Sequence, residues 1–166
     1  MHWKPSGNPM DRYRRYVRDF SAMIPANVPV GLHLCYGDFH HKHFSEPKSL
    51  DLCVRMANIA AQETKHPIAY THMPVPISRT DDAYFAATRE LDSSAGTLYA
   101  GLVHYTDGVD GGMRRADALG RYFSGTVGIA TECGLGRRPP DQKMTTLMKI
   151  HRDIIAKLLP ATLAKA

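Results

Sequence analysis

The sequence has few of the features that mark secreted or membrane proteins. Its 166 residues include only three cysteines, and an odd number argues against a disulfide framework and fits a reducing compartment. No apolar run approaches the roughly 18 residues of a membrane-spanning helix, and residues 1–9 lack the apolar segment of a secretory signal. We therefore expect a cytoplasmic protein without membrane contacts.

Clustered charge is also missing, although the net charge is +5 at pH 7. Nucleic-acid-binding proteins concentrate lysine and arginine in one run or on one face. Here the basic residues are scattered and form only short pairs, at Arg14-Arg15, Arg114-Arg115 and Arg137-Arg138. We interpret most of them as solvated surface and expect no nucleic-acid partner.

The composition that remains is ordinary for a globular domain. Hydrophobic residues make up 43% of the chain and charged residues 22%, and a chain of this length can bury a core of its own. Residues 1–9 are rich in Pro, Gly and Asn and predict a poorly ordered lead-in. We expect one domain over residues 10–160 and a short tail over residues 161–166.

Helical and strand patterns alternate along the domain. Apolar periodicity predicts helices over 11–24, from Pro47 through about Ala61, over 81–91, 113–123 and 142–159. Apolar runs predict strands over 29–34, 68–73, 97–105 and 127–131. A polar loop over 38–46 contains His40, His41 and His43, and Gly111-Gly112 is interpreted as a flexible connection.

Near-continuous apolar strands that alternate with helices predict parallel βα units, with both faces of the sheet covered. The chain contains four such units. In folds of this kind the chemistry collects at the carboxyl ends of the strands. Residues capable of chemistry lie at or just beyond the predicted strand ends: Cys35, Asp38, His72, His104, Asp107 and Cys133. This placement predicts a functional site at that end of the sheet.

Two of these strand ends carry soft metal ligands. In an extended chain His33 and Cys35 point the same way, about 7 Å apart, and imidazole with thiolate favours zinc. A third ligand is needed, and Cys133 at the mouth of a later strand is the best candidate. Because free cysteines are often small buried core residues, Cys35 and Cys133 could also be packing residues. Cys53 lies in a helix among apolar neighbours and is interpreted as core.

These residues carry a family resemblance. His33-Leu34-Cys35-Tyr36, followed after a long gap by Cys133-Gly134, resembles the zinc signature of cobalamin-independent methionine synthase. The wider resemblance is to the (β/α)8 barrels that include uroporphyrinogen decarboxylase and zinc-dependent thiol alkyltransferases. It extends from about Pro29 to His151 and corresponds to the C-terminal half of the barrel. It therefore implies an α/β fold of four βα units, half of a (β/α)8 TIM barrel.

The resemblance implies that His33, Cys35 and Cys133 are zinc ligands. The synthase completes its site with a glutamate at the next strand end, where this chain has His72. His72 is thus a possible fourth ligand, with Glu132 as a weaker alternative, and from the residues alone a core histidine that donates to a backbone carbonyl fits equally well. A histidine after the third strand of the synthase suggests an acid–base role for His104, although the strands do not align cleanly there.

The function that the resemblance implies is zinc-dependent methyl or alkyl transfer from an alkyl donor to a small-molecule thiol. Zinc would hold the thiol as thiolate, and an acid would protonate the leaving group. Asp107 and His104 are the candidate catalytic residues, and Asp38 and Arg137 could bind substrate. Asp107 also suits a turn before Gly108, and Arg137 a surface loop. Two alternatives stay open, a metal-free decarboxylase or lyase and a non-catalytic truncated barrel.

Half a barrel raises a physical difficulty. Four parallel strands cannot close a barrel of eight, so the first and last strands would have free edges and an apolar inner face would be open. Free edges and apolar patches favour association. We therefore expect a homo-oligomer, or a partner chain that completes the barrel.

Overall fold

The computed structural model describes residues 7–39, 42–43 and 45–159. The elements follow one another along the chain as α1 (Pro9–Ser21), β1 (Val30–His33), β2 (Asp38–Phe39), β3 (Lys42–His43), α2 (Asp51–Glu63), β4 (Ile68–Pro74), α3 (Asp82–Phe85), β5 (Thr97–Val103), α4 (Gly108–Gly120), β6 (Val127–Thr131) and α5 (Met144–Leu158). Short 3-10 turns cover Ala86–Glu90, Ser93–Ala95 and Leu135–Arg137. Most of the predicted lead-in and all of the predicted tail lie outside the described residues.

The main sheet has four parallel strands in the order β1-β4-β5-β6. Strands that follow one another along the chain are therefore neighbours in the sheet, apart from the separate β2–β3 hairpin. This confirms the α/β class and the alternation of strands with helices. Each new strand of the main sheet is added next to the strand before it, so the successive strand–helix units follow one another in the same direction across the sheet.

Only one face of this sheet is covered in the described part of the chain. Met73, Leu98 and Leu102 point into a core shared with Val54 of α2 and Leu119 of α4. The alternate positions point the other way, and Tyr70 and Tyr99 there are 45% and 39% exposed. The prediction that both faces are covered is wrong, because the tyrosines that lengthen the apolar runs face solvent.

The two exposed tyrosines lie across neighbouring strands. The Tyr70 ring occupies the space above Gly31 on β1, and the Tyr99 ring occupies the space above Gly128 on β6, so that a Cβ atom at either glycine would overlap a ring. The two rings meet edge to face with their centroids 5.5 Å apart. The open face is therefore an aromatic surface that depends on glycine in both edge strands.

Gly111 and Gly112 are part of α4 and are buried, so their interpretation as a flexible connection is wrong. A Cβ atom at Gly112 would overlap Ile154 of α5, and one at Gly111 would overlap the Asp107 carboxylate. The glycines permit close packing at these two points. They do so at a cost of roughly 1 kcal/mol each in helix propensity relative to alanine.

Several predicted boundaries also shift. The first helix ends at Ser21 instead of residue 24, and α2 begins at Asp51 instead of Pro47. The predicted helix over 81–91 is a single α-helical turn that continues as a 3-10 helix. The predicted polar loop contains the β2–β3 hairpin, whereas β6 has the predicted bounds. No helix of the described part is long and apolar enough to cross a membrane.

Candidate metal centre

Three side chains converge at the carboxyl ends of the two edge strands. His33 is the last residue of β1, Cys35 lies two residues beyond it, and Cys133 lies two residues beyond the end of β6. One potential ligand atom from each of these residues lies within 4.8 Å of the other two. His33 and Cys35 are exposed and Cys133 is half-buried. In the described part of the chain, these residues form a possible metal-binding group.

This convergence requires a curled sheet. β1 and β6 are separated by two strands, so in a flat sheet they would be about 14 Å apart at the usual spacing of 4.7–4.9 Å. The Nε2 atom of His72 on β4 also reaches the carbonyl oxygen of Thr131 on β6, at 3.1 Å, past the intervening strand β5. The open face is thus concave at this end, and a hollow of about 380 Å³ lies between His33, His72 and the two tyrosines.

His72 lies beside the group of three. Its Nε2 atom donates to the Thr131 carbonyl, and its Nδ1 atom lies 2.7 Å from the Nδ1 atom of His33. Burial, and then the charge of His33, lowers the pKa of His72, so its ring is neutral at pH 7. A neutral ring that donates through Nε2 accepts at Nδ1, and therefore His33 donates from Nδ1, which leaves Nε2 as the atom through which His33 would bind a metal.

Both ring nitrogens of His72 are engaged in this arrangement. The donation to a backbone carbonyl matches the alternative in which His72 is a supporting histidine, and it argues against a place for His72 among the ligands. Histidine ligands usually donate their second nitrogen to a fixed partner, which sets the ring orientation. His72 supplies that partner for His33.

We expect His72→Ala to weaken metal binding without abolishing it. Loss of a partner that orients a ligand costs about 10–100-fold in affinity, whereas loss of a ligand costs more. Competition with a chromophoric chelator measures both constants, with His33→Ala as the comparison. His66→Ala is the matched control, since His66 also contacts a backbone carbonyl, that of Ser21, but lies outside the group. Equal affinity in His72→Ala and the unchanged protein would contradict this role.

Cys133 lies between a second thiol and a guanidinium group. The pKa of Cys133 is raised, chiefly by burial and then by the charge and hydrogen bonding of Cys35, while Arg137 acts in the opposite direction. Without a metal the thiol is therefore protonated at neutral pH. A metal bound at the group must displace that proton, and Arg137 would stabilise the resulting negative charge. The predicted role of Arg137 in substrate binding stays a prediction.

A cleft of about 260 Å³ extends from Cys133 away from the group. Its polar wall includes His104 and Glu132. His104 is only 3% exposed, donates from Nε2 to the Val75 carbonyl over 2.7 Å, and has Nδ1 3.3 Å from Glu132. Glu132, with a side chain 48% exposed, is therefore the more accessible of the two in the cleft. The structure places the predicted acid–base residue His104 behind it.

Asp107 forms an ion pair with a buried arginine. Its two carboxylate oxygens accept from the Nη1 and Nη2 atoms of Arg115, at 2.6 and 2.9 Å. Partial burial acts to raise the pKa of Asp107, but the hydrogen bonds and charge of Arg115 outweigh it, and the net pKa is lowered. The position of Asp107 at the start of α4 fits the alternative in which this residue serves a turn. Because Arg115 binds both of its carboxylate oxygens, the structure gives no support to Asp107 as a catalytic residue.

Arg115 is the residue that the sequence interpretation missed. Its side chain has no exposed surface and also donates to the backbone carbonyls of Leu102 and Ile77. The interpretation of the Arg114-Arg115 pair as solvated surface is therefore wrong for Arg115. The available signal was helical spacing: Arg115 lies on the same face of α4 as Gly111 and Gly112, where close packing leaves no access to solvent.

The remaining candidates have three different outcomes. Cys53 is buried at 3% exposure, which confirms its interpretation as a core residue. Asp38 lies in β2, paired through its backbone with His43, and its predicted role in substrate binding stays a prediction. His40 and His41 lie outside the described residues.

Comparisons of this chain with protein-family models, with curated proteins and with solved structures find no match. The geometry of the site and general chemistry therefore carry the functional argument. The resemblance to the methionine synthase superfamily remains an expectation based on the motif.

Proposed function

We propose that His33, Cys35 and Cys133 hold a zinc ion that activates a small thiol for methyl or alkyl transfer. The observation that supports this most directly is the convergence of the three donor atoms from opposite edges of the sheet. In a tetrahedral zinc site with these ligands, neighbouring donor atoms lie about 3.4–3.8 Å apart. Donors already within 4.8 Å need only small side-chain rotations to reach that spacing.

The donor set also suits zinc chemically. Two thiolates and one imidazole are soft to intermediate ligands that favour zinc over magnesium or calcium. Three protein ligands leave one tetrahedral position open, as in catalytic zinc sites. Bound zinc lowers the pKa of a coordinated thiol and supplies a thiolate at neutral pH. His33 and Cys35 are exposed, so a small thiol can reach the group.

The proposed transfer balances without a redox partner. The substrate thiol loses its proton to solvent, and its sulfur forms a bond to the alkyl carbon. The bond between that carbon and the leaving group breaks, and the leaving group keeps the electron pair and takes a proton from an acid. The cleft next to Cys133 gives the alkyl donor a place, and Glu132 backed by His104 lies on its wall.

We also propose that the sheet is half of a (β/α)8 barrel. Three features support this architecture: consecutive strand order, helices that cover one face, and strong curl at the carboxyl ends of the strands. A barrel wall needs all three, because its strands follow in order, its helices lie outside and its inner face is concave. The candidate site then occupies the mouth of the barrel, where such enzymes place their chemistry.

The metal-free alternative has less support. It depends on Asp107 and His104 as catalytic residues, but Arg115 engages both oxygens of Asp107 and His104 is almost entirely buried. The non-catalytic alternative does not account for three metal-type donors brought together from strands on opposite edges.

Cobalt substitution tests the open position. Co²⁺ in place of zinc reports thiolate ligation through charge-transfer absorption, and we expect 2-mercaptoethanol to increase that absorption in a saturable manner as its sulfur binds. Ethylene glycol, which lacks sulfur, is the control and should leave the spectrum unchanged. A cobalt-loaded protein whose spectrum does not respond to the thiol would assign the site a structural role and overturn the proposed transfer.

A further inference from the structure

Exposed large apolar side chains are concentrated in two places at opposite ends of the sheet. In the described part of the chain, four accompany α1 and the start of β1, and four lie on or just after α5: Tyr16, Phe20, Met23 and Val28 at one end, and Met148, Ile155, Leu158 and Leu159 at the other. Single exposed apolar residues are common and need no explanation. Two clusters at the two open ends of the sheet mark an interaction surface.

At the first end, α1 is only partly covered. Tyr13 and Val17 are half-buried and Ser21 is buried, at the helical spacing of one stripe. The neighbouring stripe of Tyr16 and Phe20 is 62% and 67% exposed. This second stripe forms one wall of an open groove of about 610 Å³ whose other side includes Leu32 and His33 of β1. We call this the α1–β1 groove.

At the other end, α5 shows the same pattern. Leu147, Ile150 and Ile154 are buried against the domain. Beside them on the helix, Met148 and Ile155 are 56% and 38% exposed, and Leu159 continues their line at 47%. We call these three residues the α5 stripe. The apolar face of α5 is thus wider than the part of it that packs against the domain. A helix of this kind indicates a second packing partner.

The strands beneath these helices have free edges in the described part. β1 pairs only with β4, and β6 pairs only with β5. Because all four strands run parallel, the free edge of β6 in one copy can continue the sheet at β1 of another. Four strands from each of two copies make the eight that close a barrel.

We propose that two copies of this chain form a closed dimer in which the α1–β1 groove of each receives the α5 stripe of the other. The proposal rests on the half-barrel architecture given under Proposed function but not on the metal. A two-fold axis generates the same contact twice. The dimer therefore leaves neither end open.

Charge complementarity supports a second copy as the occupant. Asp19 lines the α1–β1 groove, and Arg152, with a side chain 77% exposed, lies between Met148 and Ile155 on the face of the α5 stripe. In the proposed dimer, the Arg152 cation on the face of the α5 stripe therefore meets the Asp19 carboxylate of the α1–β1 groove. Aromatic and methionine side chains surrounded by such charges are typical of interfaces, which take about 800 Å² from each partner.

Two substitutions and one control test the proposal. Phe20→Glu places a charge in the groove and Ile155→Glu places one on the stripe, and both positions are exposed in the isolated chain, so folding should persist. Ala83→Glu adds the same charge to an exposed position of α3, away from both the groove and the stripe. Sedimentation velocity over a range of concentrations measures the dimer dissociation constant, and circular dichroism confirms that each variant is folded. Measurements with chelator and with added zinc separate association from metal binding.

We expect a dimer at micromolar concentration with or without zinc. Phe20→Glu and Ile155→Glu should each raise the dissociation constant by at least about tenfold, and Ala83→Glu should not change it. Asp19→Arg and Arg152→Asp should each weaken the dimer when made alone. The double variant should restore it. A folded monomer at these concentrations would overturn the proposal. A dimer that is weakened by Phe20→Glu but not by Ile155→Glu, or by Ile155→Glu but not by Phe20→Glu, would overturn it as well. Monomeric protein that still binds zinc would leave the proposed metal site standing.

Discussion

Replacing either Cys35 or Cys133 with serine is expected to remove high-affinity zinc binding. Each substitution deletes one of three donors that lie within 4.8 Å of one another, and a serine hydroxyl is a poor zinc ligand because it does not ionise at neutral pH. We expect a loss of affinity greater than about 100-fold, since even residues that only orient a ligand contribute 10–100-fold. Competition with a chromophoric chelator under reducing conditions measures it.

The third cysteine provides the control for this experiment. Cys53 is buried in the core cluster, and although Cys35 influences the pKa of its thiol, Cys53 is not part of the candidate group. Cys53→Ser should therefore keep the zinc affinity of the unchanged protein, even if burial of a hydroxyl lowers its stability. Equal zinc retention in all three serine variants would show that the cysteines serve only in packing.

Replacing Arg115 with methionine is expected to produce the largest loss of stability. The substitution leaves the Asp107 carboxylate without its bidentate partner and frees the carbonyls of Leu102 and Ile77. Breaking a buried ion pair in this way costs about 3–5 kcal/mol, a large share of the 5–15 kcal/mol that stabilises an ordinary domain. Urea denaturation followed by circular dichroism measures the change in the free energy of unfolding.

Arg114 supplies a matched control in the same helix. Its guanidinium lies 3.8 Å from Asp107, and its side chain is 62% exposed. Exposed ion pairs contribute about 0–1 kcal/mol, so Arg114→Met should have little effect. Similar losses in the two variants would contradict a structural role specific to Arg115.

The same ion pair predicts a dependence on pH. Because the pKa of Asp107 is lowered in the folded protein, its contribution to stability is present above the unfolded value of about 3.9 and is lost as the pH falls through the folded value. The difference in unfolding free energy between the unchanged protein and Arg115→Met should therefore narrow below about pH 4. A difference that stays constant down to pH 2 would assign the effect to packing alone.

The sequence predicted those features of the fold and site that depend on the local pattern of residues. The α/β class, the four strands and the placement of His33, Cys35 and Cys133 at strand ends follow from apolar runs and from the rule that chemistry collects at the carboxyl ends of parallel strands. The structure shows the sheet and brings these three residues together. Zinc itself and the family remain predictions.

What the sequence did not predict depends on packing across elements. The contact of His72 with Thr131 and the burial of Arg115 both join residues far apart in the chain. Periodicity cannot distinguish an arginine in solvent from one that binds carbonyls in a core. It also could not show that Gly111 and Gly112 serve packing within α4, because glycine is equally common in flexible connections.

Zinc stoichiometry shows most directly whether His33, Cys35 and Cys133 hold a metal ion. The protein should be purified under reducing conditions without chelators, and its metal content measured by inductively coupled plasma mass spectrometry against protein concentration from amino-acid analysis. We expect about one zinc per chain, since three donors of zinc type converge at one place. Protein that contains no zinc, and takes up none when zinc is added in slight excess, would contradict it.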